Sequence, residues 1–170
     1  MDIKNILIPV IDVRDTGKMI IVFEMEYLHH VYEKSSIQMI PYSSQYQKEY
    51  KRIYNQCYHE MRESLNIQPV DYIQDDSFFE FGMDKVFLLL SDEEIIGSVK
   101  LLDNEIDDLI VNVKYQSRGF GKQILLWALE NTKSEKIILH VAEWNKKAIE
   151  LYKKNGFEIV NTIKINNDTE

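Results

Sequence analysis

Between Gln116 and Gln123 the chain reads Gln-Ser-Arg-Gly-Phe-Gly-Lys-Gln, two glycines and two cations set where β-forming residues give way to an amphipathic helix. A strand that feeds a helix at such a corner leaves the first helical amides without intrahelical acceptors, aimed one way and reinforced by the helix dipole. That is anion-binding chemistry, and phosphate is its most natural ligand. Gly119 and Gly121 carry no side chain to hold a phosphate off the backbone, and Arg118 and Lys122 add positive charge. A tight turn whose glycines serve only backbone torsion is the competing reading of the same octet. Two familiar phosphate loops do not fit. A P-loop needs glycine where Gln116 stands and Ser or Thr where Gln123 stands, and a dinucleotide fingerprint needs a third glycine where Ile124 stands.

A second set of spaced residues follows one strand later. Asn145, Ala148, Tyr152, Gly156 and Phe157 form N-x-x-A-x-x-x-Y-x-x-x-G-F. Together with the Q-x-x-G-x-G run from Gln116 to Gly121, and with Leu109 and Val111 in the strand before it, this pattern resembles the GCN5-related N-acetyltransferase (GNAT) superfamily. The resemblance spans roughly Ile37 to Val160 and is strongest from Leu109 to Phe157. It implies transfer of an acetyl group from acetyl-CoA to a primary amine, on a small molecule or a peptide, in one ternary complex without a covalent acyl-enzyme. A module of the same fold that binds acyl-CoA or a partner without turnover is the alternative.

Residue by residue, the resemblance implies a pyrophosphate grip by the amides of Ser117, Arg118, Gly119, Phe120, Gly121 and Lys122, with Gln116 at the motif's first position. Arg118 and Lys122 are auxiliaries, although Lys122 reads equally well as a solvated first-turn lysine. A bulged strand would free the amides of Val111 and Val113 for the pantetheine arm and the thioester oxygen. Asn145 would contact the cofactor, and as an asparagine at a helix start it also suits an N-cap. Tyr54, Tyr58 and His59 would line the acceptor groove. Tyr152 would be the acid, because a phenol with a reference pKa of about 10 can protonate a thiolate whose thiol lies near about 8.5. In a chain of 10 tyrosines a core position is the bland reading of Tyr152. For the base, strand alternation places Glu105, Asp107, Leu109 and Val111 on one face and Asp108 on the other. Glu105 is the first candidate and Asp107 the second, against a reading in which the acidic run is a solvated edge or recognises a cationic substrate.

The elements that must position these residues can be read from the pattern of apolar residues. Ile3–Val13 and Lys18–Tyr27, joined by Arg14–Gly17, predict a β-hairpin. A short strand is expected at Ile37–Pro41. A helix follows from Ser43 or Ser44 to about Leu65, with a break near Cys57. Three strands with tight turns between Val86 and Val113 demand antiparallel pairing, and β-α-β-α-β follows, with helices at Gly119–Asn131 and Asn145–Asn155. Gly156 is expected as a left-handed helix stop. The expected fold is of the α/β (α+β) class, a mixed, mostly antiparallel sheet flanked by helices, with residues 1–35 as a hairpin extension and 36–170 as the acetyltransferase domain. Only one strand follows Gly156, so one hairpin strand is expected to complete the sheet, from the same chain or from a partner in a homodimer.

Composition narrows the classes. With 170 residues and 45% hydrophobic content the chain can bury an ordinary core. A net charge of -8 argues against nucleic acid and suits a cationic amine. Cys57 is the single cysteine, and His29, His30, His59 and His140 lack ligand spacing, so no metal is expected. No targeting or spanning segment is read, and the cytoplasm is the expected location.

Overall fold

The computed structural model describes residues 19–30 and 33–165. Seven strands form one sheet in the order β2-β3-β4-β5-β6-β1-β7. The strands are β1 (Ile20–Tyr27), β2 (Ile40–Pro41), β3 (Val86–Ser91), β4 (Glu94–Leu102), β5 (Glu105–Val111), β6 (Ile138–Ala142) and β7 (Phe157–Ile165). All neighbours run antiparallel except β5 and β6, which are parallel. Three helices flank the sheet: α1 (Gln47–Ser64), α2 (Phe120–Asn131) and α3 (Lys146–Lys154).

Helix α1 repeats its apolar residues at helical spacing, and Tyr50, Ile53 and Tyr54 are buried against Val86, Leu88, Ile95 and Ile110 on one face of the sheet. Each such side chain removed from water contributes about 1.5–3 kcal/mol. Helices α2 and α3 cover the other face, where Ile124, Leu125, Ala128, Ile149 and Tyr152 meet Val99, Ile106, Leu139 and Val141. The helix break expected near Cys57 does not occur. The Cys57 thiol is half-buried and donates to the Val111 carbonyl at 3.2 Å, so the residue packs α1 onto β5 inside a continuous helix. The strand expected from Ile37 is paired only at Ile40 and Pro41.

Strand β1 completes the sheet within the same chain. Its two edges pair with β6 and β7, and Glu24 lies opposite His140. The other strand of the expected hairpin, Ile3–Val13, lies outside the described residues. Gly156 locks this end: its φ is +95°, its carbonyl accepts from the amides of Leu28 and His29, and a Cβ would sit 2.1 Å from the His29 carbonyl oxygen. Among the described residues, no helix is long and apolar enough to cross a membrane.

Candidate active site

The site begins with an irregularity in β5. Lys100 pairs with Asp107 and Ser98 with Ile110, so Asp108 and Leu109 together face the single residue Val99. This is a β-bulge, with Asp108 at φ +44°. It overturns the alternation expected from sequence. Asp107 faces α1 beside Lys100, at 3.9 Å, and Asp108 faces α1 as well. Leu109 and Val111 pack instead with the core under α2 and α3. Asp108 was expected on the opposite face from Asp107, and the inserted residue brings both to one side.

Strands β5 and β6 share a single paired position, Glu105 with Ile138, and beyond it two neighbouring cavities lie between them and α3. The larger, about 360 Å³, runs from Ser117, Gly119 and Gly121 past Val111 to Tyr152. The smaller, about 80 Å³, is bounded by Tyr58, Asp108, His140 and Tyr152. Leu109, Asn145, Ala148 and Tyr152 line both and mark their junction.

At the outer end, Gly119 caps α2 in the left-handed region at φ +86°, and Ser117 also has positive φ, +61°. The first helical bond is Gln123 N–H to the Gly119 carbonyl, which leaves the amides of Phe120, Gly121 and Lys122 ahead of it to face an anion. A Cβ on Gly119 would meet nothing within 4 Å, so the torsion alone calls for glycine there. Gln116 donates its side-chain amide to the Val111 carbonyl at 3.0 Å, tying the loop to the end of β5. The Asn112 amide bonds the Ile96 carbonyl on the β4 side, so strand alternation turns the Val111 amide toward the gap with β6. These residues fit a pyrophosphate joined to a long, thin arm.

Several predicted positions fall elsewhere. Val113 was read as part of the strand, but β5 ends at Val111, and Val113 sits in a 3-10 turn, exposed and outside both cavities. Phe120 packs edge-on against Tyr115, and the Arg118 guanidinium lies 5.4 Å from the centre of the Tyr115 ring. Lys122 lines the larger cavity, yet its ammonium is 2.7 Å from the Glu33 carboxylate. His59 is exposed and paired with Asp71 at 3.1 Å, away from the cavities. Tyr54 is buried and contacts neither cavity, although its hydroxyl donates to Asp108. Asn145 caps α3 by accepting from the Ala148 amide and also lines both cavities.

The acidic groups have separate environments. Glu105, the first candidate base, accepts from His140 Nδ1 at 2.7 Å, and Glu24 faces Nε2 of the same ring at 3.3 Å. Burial alone would lower the His140 pKa, but the two carboxylates outweigh it and the net shift is upward. A carboxylate stands at each ring nitrogen, so the protonated ring has a partner for both of its N–H groups. Asp107 is pushed up to about 7, first by burial and then by the charge of Asp108, which Lys100 at 3.9 Å does not offset. Asp108 is likewise raised by burial, against hydrogen bonds from Tyr58 at 2.8 Å and Tyr54 at 3.0 Å. Tyr152 is raised by burial and then by Asp107 and Asp108, which keeps it a protonated donor at neutral pH. Sequence reasoning missed His140 and Asp108, since neither a bulge nor a cross-strand Glu–His–Glu contact has a local sequence signal.

The family model of the acetyltransferase (GNAT) family matches residues 47–157. No curated protein matches. Among solved structures, a protein of the GNAT family from Novosphingobium aromaticivorans superposes with a TM-score of 0.60 at 14% identity, covering 89% of this chain and 66% of that one. A GNAT-family acetyltransferase from Colwellia psychrerythraea gives 0.67 at 10% identity, with 88% and 56% covered. The PaiA N-acetyltransferase of Thermoplasma acidophilum, solved in complex with coenzyme A, gives 0.60 at 17% identity, with 72% and 90% covered. The chain thus spans between half and two thirds of the length of the first two of these structures. At these identities the likeness is one of fold.

Proposed function

Because the chain belongs to the GNAT acetyltransferase family, we propose that it transfers an acetyl group from acetyl-CoA to a primary amine by direct attack in a ternary complex. One observation carries the reading: the open helix amides at Phe120–Lys122, the freed edge of β5 and the Tyr152 phenol lie along one cavity, which adjoins a second one holding a carboxylate. Acetyl-CoA, when bound, supplies the activated acyl group.

The residues of the chain divide the remaining work. The first-turn amides of α2, the left-handed Gly119 and the Lys122 ammonium bind the pyrophosphate, the amides carrying most of the load because Glu33 partly occupies Lys122. The Val111 amide, turned into the gap, orients the arm and donates toward the thioester oxygen. Tyr152, protonated and buried at the junction, hands its proton to the departing sulfur. A carboxylate on the α1 side takes the proton of the acceptor ammonium, whose reference pKa is about 10.4. The acceptor is a cationic amine, in keeping with four carboxylates, Glu24, Glu105, Asp107 and Asp108, on that side against Lys100 and His140.

The test is thiol release from acetyl-CoA in the presence of a panel of primary amines, with acetylated product identified by mass spectrometry. Amine-dependent release supports the transfer. Tight acetyl-CoA binding with no release above the hydrolytic background for any amine would leave a binding module instead.

A further inference from the structure

The family pattern points to Glu105 or Asp107 as the base, but the bulge changes which carboxylate reaches the acceptor. We propose that Asp108 is the residue that docks the acceptor ammonium and takes its proton, with Tyr54 and Tyr58 as positioning residues. The inference rests on the proposed acetyl transfer and deepens it.

Of the three acidic side chains on β5, only Asp108 lines the smaller cavity, where it shares the wall with Tyr152. Glu105 is held by His140. Asp107 accepts from the Asp108 amide at 2.9 Å through Oδ1, and its Oδ2 points toward Lys100. Both tyrosine bonds to Asp108 end on Oδ1, so neither hydroxyl engages the second carboxylate oxygen, Oδ2. An ammonium held by Asp108 shares that cavity with Tyr152.

Asp108 removes one proton from R–NH3+, and the neutral amine attacks the thioester carbonyl. A C–N bond forms and the C–S bond breaks. Tyr152 gives its proton to the sulfur and is restored by the second proton leaving nitrogen. The proton on Asp108 passes to solvent, so the sum is amide, free thiol and one H+.

Asp108 is faced by Tyr54 and Tyr58 from α1, Lys100 from β4, Glu105 and Asp107 on its own strand, His140 from β6 and Tyr152 from α3. Tyr58 stabilises the ionised form. Its removal raises the Asp108 pKa, and the acid limb of the activity profile moves to higher pH.

The experiment compares wild type with Asp108→Asn, Asp107→Asn, Glu105→Gln and Tyr58→Phe. Three readouts are taken: acetyl-CoA binding, binding of n-butylamine hydrochloride by calorimetry, and kcat/KM against pH for an amine that the wild type acetylates. Asp108→Asn is expected to weaken butylamine binding at least tenfold and to lower kcat/KM by about 10²–10⁴, with acetyl-CoA affinity within twofold. Asp107→Asn and Glu105→Gln are expected to bind butylamine within threefold of wild type. Tyr58→Phe is expected to shift the acid limb of the kcat/KM profile to higher pH. Butylamine that fails to bind the wild type, or binds Asp108→Asn as well as wild type, overturns the assignment, as does a larger loss in Glu105→Gln. A wild type that binds butylamine at Asp108 but not acetyl-CoA overturns the proposed function and leaves the docking role intact.

Discussion

The two glycines of the phosphate corner should respond to alanine in opposite ways. At Gly119 a Cβ has open space, so the whole effect of Gly119→Ala is torsional: a left-handed backbone at φ +86° costs an L-residue about 1–2 kcal/mol. If the turn keeps its shape, the protein loses that much unfolding free energy. If the turn relaxes, the same energy is needed to rebuild the cradle, and acetyl-CoA binding weakens about 5–30-fold. At Gly121 the backbone is ordinary helix, and a Cβ would stand 3.5 Å from Leu151 Cδ2 and 3.7 Å from Val111 Cγ2, normal van der Waals contact. Alanine there gains up to about 1 kcal/mol of helix propensity. Denaturant unfolding gives the stabilities and calorimetry with acetyl-CoA gives the affinities. A Gly119→Ala protein unchanged in both, or a Gly121→Ala protein more damaged than Gly119→Ala, would refute the torsional argument.

Tyr152→Phe should keep acetyl-CoA affinity and lose about 10²-fold or more in kcat, read by thiol release. Glu33→Gln frees the Lys122 ammonium and should tighten acetyl-CoA binding by up to about fivefold at low salt, the scale of an exposed ion pair. Asp107, raised to about 7 from 3.8, favours folding fully below about pH 4, and that contribution is lost as pH rises through 7. Asp107→Asn should therefore be more stable than wild type at pH 8, by on the order of 2–4 kcal/mol, with the gap closing toward pH 4 in urea unfolding. The Cys57 thiol, pushed up to about 12 mainly by burial, should stay inert to a disulfide exchange reagent at pH 8 until the protein unfolds.

The glycine-bearing corner, the Asn145–Phe157 helix and the antiparallel run before them are legible because each is local: a turn, a cap or a period fixed by neighbouring residues. The two helices fall within a residue of their expected limits, with Gly119 and Asn145 as the caps. What the sequence hides is set across strands. The Asp108 bulge inverts the faces of β5, which is why Glu105 and Asp107 part company from Leu109 and Val111. The buried His140 gains its second carboxylate partner because β1, distant in sequence, enters the sheet and brings Glu24 to it. The tyrosines of α1 divide by one turn: Tyr58 reaches the cavity, Tyr54 stays in the core, and His59 points to Asp71.

In the proposed reading, the Ser117–Lys122 amides and the β5–β6 gap together hold acetyl-CoA. Calorimetric titration of the wild type with acetyl-CoA, beside adenosine diphosphate, tests it most directly. Saturable one-site binding of acetyl-CoA in the micromolar range is expected, with weaker binding of the diphosphate at the same site and competition between the two. No acetyl-CoA binding, or binding indifferent to the diphosphate, would contradict it.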